Sequence, residues 1–297
     1  MSISPQRVAV IGAGTMGARI AAVFAAKGFA TRLYSRSEAS LAKARVLVQS
    51  LAPEADIAFT TSLEECLQGA DMLSENIAEQ VEVKQTLFRQ IEERVREDCL
   101  LTTNTSSVPI GALASVLHRP QRLIGLHWFN PADVMPMVEV IRGPQTDEHT
   151  VARTLALCQR LDKTPVNVNQ DVPGFIVNRL QYALLREALH LVTQGVATID
   201  DVDRAVQSTL APRWSAMGPL KLMDCAGLDT VRNVAAILLP ALCNDTGLPD
   251  WLLDKVAQGQ LGIKSGSGFY PWESEDIARA LGRRDEIVRL LTERAPR

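Results

Sequence analysis

The stretch Arg7-Val-Ala-Val-Ile-Gly-Ala-Gly-Thr-Met-Gly17 restricts this chain more than any other, because an apolar β-branched run breaks there into glycines spaced G-x-G-x-x-G. Val8 to Ile11 is short and apolar throughout, as a strand buried on both faces of a parallel sheet should be. From Met16 the apolar positions Ile20, Val23 and Phe24 recur at three- and four-residue steps, and Gly28 stands where a glycine cap would stop a helix. Strand, tight turn and helix in that order give each glycine a role. Gly12 permits the turn, Gly14 lets backbone approach a pyrophosphate, and Gly17 lets helix pack on strand. The amides opening the helix offer that phosphate a partial positive charge. A glycine turn also occurs without a ligand, but between strand and helix it marks a dinucleotide site.

The run Thr31 to Tyr34 reads as a second strand ending in Ser35-Arg36-Ser37, roughly 20 residues past the glycines, where a carboxylate usually takes the adenosine ribose hydroxyls. No carboxylate is there. A hydroxyl beside an arginine suits a 2′-phosphate, which guanidinium binds in a charge-assisted fork, so NADP is favoured over NAD. The plainer alternative is Ser35 or Ser37 capping the next helix beside a solvated Arg36.

Helix over 38–50, strand over 57–60, a short helix with capping-box spacing from Ser62, strand over 71–75, helix over 81–96 and strand over 100–103 continue the alternation. The long helix sets Val83, Leu87, Ile91 and Val95 on one face. Such alternation predicts a parallel, doubly wound α/β sheet whose ligands lie beyond the carboxyl ends of the strands, where Glu79, Asn104 and Ser106 fall. Arg122 to His127 and Met137 to Ile141 are then strands too close together for a helical crossover, so they are antiparallel or joined by a loop. A helix over 148–161 and a strand over 166–168 close a first domain, residues 1–171. From Asp171-Val-Pro-Gly onward the chain turns helical, with a long helix over 175–195 and one capped by Thr198, giving an all-helical second domain, 172–297.

Two domains suit 297 residues of which 46% are hydrophobic. With 31 basic and 34 acidic residues the formal net charge is −3, so no global field draws in nucleic acid or an anionic membrane. No apolar run approaches the roughly 20 residues that span a bilayer, and the first strand begins too early to leave room for a signal peptide. Cys66, Cys99, Cys158, Cys225 and Cys243 are odd in number and lack a C-x-x-C pair, which reads as buried thiols of a reducing cytoplasm.

Of the four histidines, His118, His149 and His190 fall in or beside helices with ordinary roles. His127 ends an apolar strand at the ligand edge of the sheet, followed by Trp128-Phe-Asn-Pro131. Glu139 lies in the neighbouring strand at hairpin distance. A carboxylate in an apolar strand must be paired or protonated, and beside His127 it would fix one imidazole tautomer. Such a pair is often merely structural. With a dinucleotide nearby, however, hydride removal from a carbinol needs a base for the hydroxyl proton, and His127 fits. Ser106 and Asn178 could hydrogen-bond the reacting oxygen, although Ser106 could equally cap a helix and Asn178 bond backbone. A metal is not expected, because no H-x-x-x-H, cysteine pair or facial carboxylate cluster is visible.

Together these residues resemble the 3-hydroxyacyl-CoA dehydrogenase family. The resemblance rests on Val8 to Gly17, Glu75-Asn-Ile-Ala-Glu79 with Lys84, Asn104-Thr-Ser-Ser107, Gly125-Leu-His-Trp-Phe-Asn-Pro131 with Met137 to Ile141, and Asp171-Val-Pro-Gly-Phe-Ile-Val-Asn-Arg179. It implies a Rossmann-type domain followed by a helical domain that forms a homodimer, and an oxidoreductase of fatty acid metabolism interconverting 3-hydroxyacyl and 3-ketoacyl groups. His127 would be the base, Glu139 its orienting partner, and Ser106 and Asn178 the groups on the reacting oxygen. Asn130 would hold substrate or nicotinamide. Gly12, Gly14, Thr15, Met16, Gly17, Glu79, Lys84 and Asn104 would line the cofactor, with Ser35 and Arg36 replacing the family's usual Asp. The family's CoA-acting members also carry a longer helical hairpin between the second and third strands, here reduced to the stretch from Ser35 to Asp56. A small CoA-free hydroxy acid or hydroxymethyl aromatic acid is therefore the alternative substrate, and a non-catalytic dinucleotide sensor the alternative of another class.

Overall fold

The computed structural model describes residues 6–294, and the expected lack of a signal peptide concerns residues outside that range. Two compact units divide after Arg179. The first is built on one eight-stranded sheet with spatial order β3-β2-β1-β4-β5-β6-β7-β8. Its strands are β1 (Arg7–Ile11), β2 (Ala30–Tyr34), β3 (Ile57–Thr60), β4 (Met72–Glu75), β5 (Leu100–Thr103), β6 (Leu123–Trp128), β7 (Met137–Ile141) and β8 (Thr164–Val168). All neighbours pair in parallel except β6 and β7. The chain order reverses between β3-β2-β1 and β4-β5-β6, and that switch point opens a crevice for ligands beyond β1 and β4.

Helices α1 (Thr15–Ala26), α2 (Glu38–Leu51), α3 (Leu63–Leu67), α4 (Val81–Glu92), α5 (Ile110–Ala114) and α6 (Glu148–Arg160) cover the sheet. On β1, Val8 and Val10 join the cluster holding Phe24, Leu33 and Trp128, while Ala9 and Ile11 join the opposite one with Phe88, Ile91 and Leu101. Burial on both faces is why β1 reads as unbroken apolar sequence rather than as an alternation. Ser37 and Ser62 cap α2 and α3 through the amides of Ser40 and Glu65.

The structure departs from the sequence reading at several points. Helix α4 stops at Glu92, and its buried face is Lys84, Leu87, Phe88 and Ile91, so Val83 turns to solvent and a lysine to the core. Strand β6 starts at Leu123 and reaches Trp128. Phe175 has φ 50°, a left-handed conformation a helix cannot include, so the long helix starts at Val177. Cys225 is exposed, whereas the other four thiols are buried. Burial pushes the thiols of Cys66, Cys99 and Cys158 up to about 12.

The second unit is all helix apart from short turns. It takes up the rest of α7 (Val177–Thr193), then α8 (Ile199–Ala205), α9 (Ala211–Ala216), α10 (Pro219–Ala226), α11 (Leu228–Leu238), α12 (Asp250–Ala257) and α13 (Ser274–Arg294). The Gly262 to Tyr270 stretch is a turn closed by bridges of Ser267 to Gly262 and Pro271. No helix among the described residues is long and apolar enough to cross a membrane.

Candidate active site

Strands β6 and β7 set His127 directly opposite Glu139 in an antiparallel register. Nδ1 of His127 lies 2.8 Å from Glu139 Oε2, and both residues are buried. The other carboxylate oxygen accepts the amides of Ile176 (3.0 Å) and Val177 (2.9 Å) at the start of α7. Burial alone would raise the Glu139 carboxyl, but the His127 ring and the two amides outweigh it and hold it below its usual value. An ionised carboxylate accepts and cannot donate, so Nδ1 carries a proton, and in the neutral ring the lone pair is on Nε2. That lone pair lies 3.0 Å from Ser106 Oγ. Phe129 and Phe175 pack edge-on to the imidazole, with centroids 4.6 and 5.6 Å away, and keep water from its sides.

Ser106 is exposed, so its geometry depends on the loop beyond β5. Glu79 clamps that loop: Oε1 accepts from the Thr105 hydroxyl (2.5 Å), the amides of Ser106 (2.7 Å) and Ser107 (2.8 Å), and the Ser107 hydroxyl (3.1 Å). Burial raises the Glu79 carboxyl, but the Thr105 hydroxyl, the Lys84 ammonium and the two amides hold it down at about 2. Lys84 Nζ in turn sits 3.3 Å from Glu79 Oε2 and 2.7 Å from Glu75 Oε1, with 1% of its side chain exposed. Glu75, fully buried at the end of β4, also accepts from the Ile77 amide and the Thr103 hydroxyl. Buried charges survive when paired and hydrogen-bonded throughout, as they are here. Sequence reasoning treated Lys84 as a cofactor-side residue and gave Glu75 no role. The available signal was a carboxylate ending an apolar strand, answered by a lysine on the apolar face of the next helix.

At the glycine turn a side chain on Gly12 would come within 2.5 Å of the Asn76 carbonyl, and one on Gly17 within 1.8 Å of the Gly12 carbonyl. Gly12 has φ 104°, and no other residue type fits there. Gly14 faces open space at the N-cap of α1 and supplies no side-chain cap, so the first amides of α1 are free to meet an anion. Thr15 and Met16 open that helix. Asn76 Oδ1, buried beside the same turn, has no hydrogen-bond partner among the described residues. These features fit a dinucleotide pyrophosphate.

Ser35 directly follows β2, and its hydroxyl accepts the Ser37 amide (3.3 Å) beside an exposed Arg36. Asn104 spends its Oδ1 on the Trp128 amide (2.8 Å), tying the end of β5 to the end of β6. Asn130 is exposed before a cis peptide to Pro131, and Asn178 lies half-buried in the first turn of α7. The structure thus brings His127, Glu139 and Ser106 into one hydrogen-bonded chain and gives Asn130 and Asn178 no side-chain hydrogen bond among the described residues.

Residues 7–172 match the family model described as 3-hydroxyacyl-CoA dehydrogenase, NAD binding domain, and residues 174–272 match the C-terminal domain of the same family. The chain is 34% identical to a Mesorhizobium japonicum 5-formyl-3-hydroxy-2-methylpyridine 4-carboxylate 5-dehydrogenase, over 91% of this chain and 92% of that one. It is 38% identical to a Mycobacterium tuberculosis 3-hydroxybutyryl-CoA dehydrogenase, over 92% of this chain and all of the other. Among solved structures, a 5-formyl-3-hydroxy-2-methylpyridine 4-carboxylic acid 5-dehydrogenase, described as an NAD+-dependent dismutase, superposes with a TM-score of 0.92 at 33% identity, covering 98% of this chain and 99% of that chain.

Proposed function

Because the chain belongs to the 3-hydroxyacyl-CoA dehydrogenase family, we propose that it interconverts a 3-hydroxyacyl and a 3-ketoacyl group with His127 as the proton-transfer residue. The observation that carries this reading is the chain Ser106 Oγ, His127 Nε2, His127 Nδ1, Glu139 Oε2, because it leaves one basic lone pair aimed at a hydroxyl-binding position. In oxidation Nε2 accepts the substrate hydroxyl proton, and the resulting imidazolium is stabilised by Glu139. In reduction the same nitrogen returns the proton to the carbonyl oxygen. Ser106 donates to that oxygen as it gains charge, and Asn178 is the second donor. Bound nicotinamide supplies the hydride acceptor or donor. Gly12, Gly14, Thr15, Met16 and Gly17 would hold its pyrophosphate, and Asn130 would fix the reacting end.

The β2–β3 connection favours a second substrate reading. It consists of α2 and a few residues, with no helical hairpin, and the likeness to a pyridine-carboxylate dehydrogenase extends over nearly the whole chain. A small CoA-free acid is the substrate in that reading. For the cofactor, Ser35 and Arg36 support NADP, and Arg36→Ala should weaken NADPH binding far more than NADH binding; equal losses would refute a phosphate role. The five free cysteines suit a reducing compartment, and we place the enzyme in the cytoplasm. A second copy of the chain covers the second unit, where Leu220, Ile237 and Leu239 are 85%, 75% and 66% exposed.

The test is spectrophotometric. Protein with NADH or NADPH is given acetoacetyl-CoA or a small aromatic aldehyde acid, and nicotinamide absorbance is followed. Consumption with only one substrate class decides between the two readings. His127→Gln should lower kcat by about 10²–10⁴ with cofactor binding nearly unchanged. Near-normal turnover in that variant removes the mechanism, and no turnover of any carbonyl substrate by the unmodified protein would favour a sensor.

A further inference from the structure

In the second unit, α7 and the loop after α11 bring together His190, Cys243 and Asp245. One ring nitrogen, the thiol sulfur and one carboxylate oxygen lie within 4.8 Å of one another. Cys243 is one of only two buried residues among the described residues of this unit, His190 is half-buried and Asp245 is exposed. Neither the His190 ring nor the Asp245 carboxylate has a hydrogen-bond partner among the described residues. Glu187, one turn before His190 on α7, accepts the Cys243 amide through Oε2 (2.8 Å) across 56 residues of sequence. That bond fixes the loop so that the thiol faces the imidazole.

We propose that His190, Cys243 and Asp245 form a binding site for a divalent transition-metal ion of the zinc type. One nitrogen, one sulfur and one oxygen donor suit a borderline ion that takes four ligands without geometric demands of its own. Zinc bonds of about 2.0–2.3 Å put neighbouring donors roughly 3.5 Å apart, so each atom has to move inward by less than about 1 Å. Three protein ligands leave a fourth position for water. On binding, Cys243 loses its thiol proton to solvent and coordinates as thiolate, His190 coordinates as neutral imidazole, and Asp245 supplies the second negative charge. Glu187 acts from behind by holding the Cys243 backbone, as outer partners of metal ligands do. The ion would tie α7 to the 242–249 loop in a unit that has almost no buried side chains to do so. The sequence carried no metal signature because the ligands come from elements far apart in the chain.

The test uses full-length, untagged protein stripped with chelator. Zn²⁺ is titrated by calorimetry, and Co²⁺ is added to look for thiolate-to-metal charge-transfer absorption. The expected result is one equivalent bound with proton release, a cobalt–thiolate band, and loss of both in Cys243→Ser and in His190→Ala. Should either variant fail to fold by circular dichroism, Asp245→Asn serves, since a substitution at an exposed position leaves the fold intact and should weaken binding at least about tenfold. Absence of stoichiometric binding, or binding unchanged in the variants, overturns the proposal. The readouts involve no turnover, so the outcome is independent of the dehydrogenase assignment.

Discussion

The two units handle apolar and charged side chains in opposite ways. The first buries whole strands on both faces and draws Glu75, Lys84, His127, Glu139 and Lys163 into its interior, each with partners. The second keeps only Leu189 and Cys243 buried among its described residues, while leucines and isoleucines of α7, α10 and α11 face outward. A sheet covered on both sides can hold fixed charges in a low-dielectric setting, and that is where a proton-transfer pair gains most from preorganisation. A helical unit with so little interior cannot draw its stability from its own core. The second copy of the chain proposed above would supply that cover, and a metal clip would act in the same direction.

The sharpest way to break this contrast is to unpair a buried charge in the first unit. Lys84→Met leaves the Glu75 carboxylate, 0% exposed, with no counter-charge, and should cost about 3–5 kcal/mol in denaturant unfolding. Adding Glu75→Gln should recover much of that loss, since the expense lies in the uncompensated ion rather than in the missing contact. A loss below about 1 kcal/mol for Lys84→Met would mean that the network is wet and the first unit less closed than described.

Next in size is a pH effect at Lys163. Lys163 is 8% exposed, and its ammonium donates to the Ala132 and Met135 carbonyls (2.8 and 2.6 Å), holding the loop that begins at Asn130. Burial pulls its pKa down to about 8 from 10.5, Asp133 opposing and Lys27 adding to the shift. Between those values the unfolded chain keeps a proton that the folded chain has lost, so folding should grow more favourable as pH rises through this window. The slope is at most about 1.4 kcal/mol per pH unit. Below the window the ammonium is charged in both states and the effect is flat. Subtracting the pH–stability curve of Lys163→Met isolates it, and parallel curves would show that Lys163 keeps its ordinary affinity for protons.

Legibility in the sequence followed the same division. The switch-point sheet, the glycine turn and the antiparallel β6–β7 pair were readable because each rests on local periodicity or on a connection too short for a crossover. His127 and Glu139 were readable because a hairpin fixes their register. The Glu79 clamp on Thr105, Ser106 and Ser107 was not readable, since it joins the end of one βα unit to the next through side-chain geometry that no period encodes. The pairing of Lys84 with Glu75 was not readable for a related reason: a lysine on an apolar helix face looks like an error until the Glu75 opposite it is known. In the second unit helices were legible from caps such as Thr198, but what they pack against was not, because amphipathic patterning records that a face is apolar and not which chain covers it.

That last ambiguity yields the smallest effect on folding and the most direct test of the contrast. Ile237 lies in the last turn of α11 and Leu239 just beyond its end, both exposed beyond half of their surface. If solvent truly bathes them, the double variant Ile237→Asp with Leu239→Asp changes neither unfolding nor assembly by more than about 0.5 kcal/mol. If a second copy covers them, two carboxylates buried at the interface should raise the dimer dissociation constant by about tenfold or more, read by sedimentation at several concentrations, while near-ultraviolet circular dichroism of the first unit stays unchanged. Loss of the first unit's signal together with the dimer would contradict both expectations, because it would make the sheet domain dependent on helices whose own interior is nearly empty.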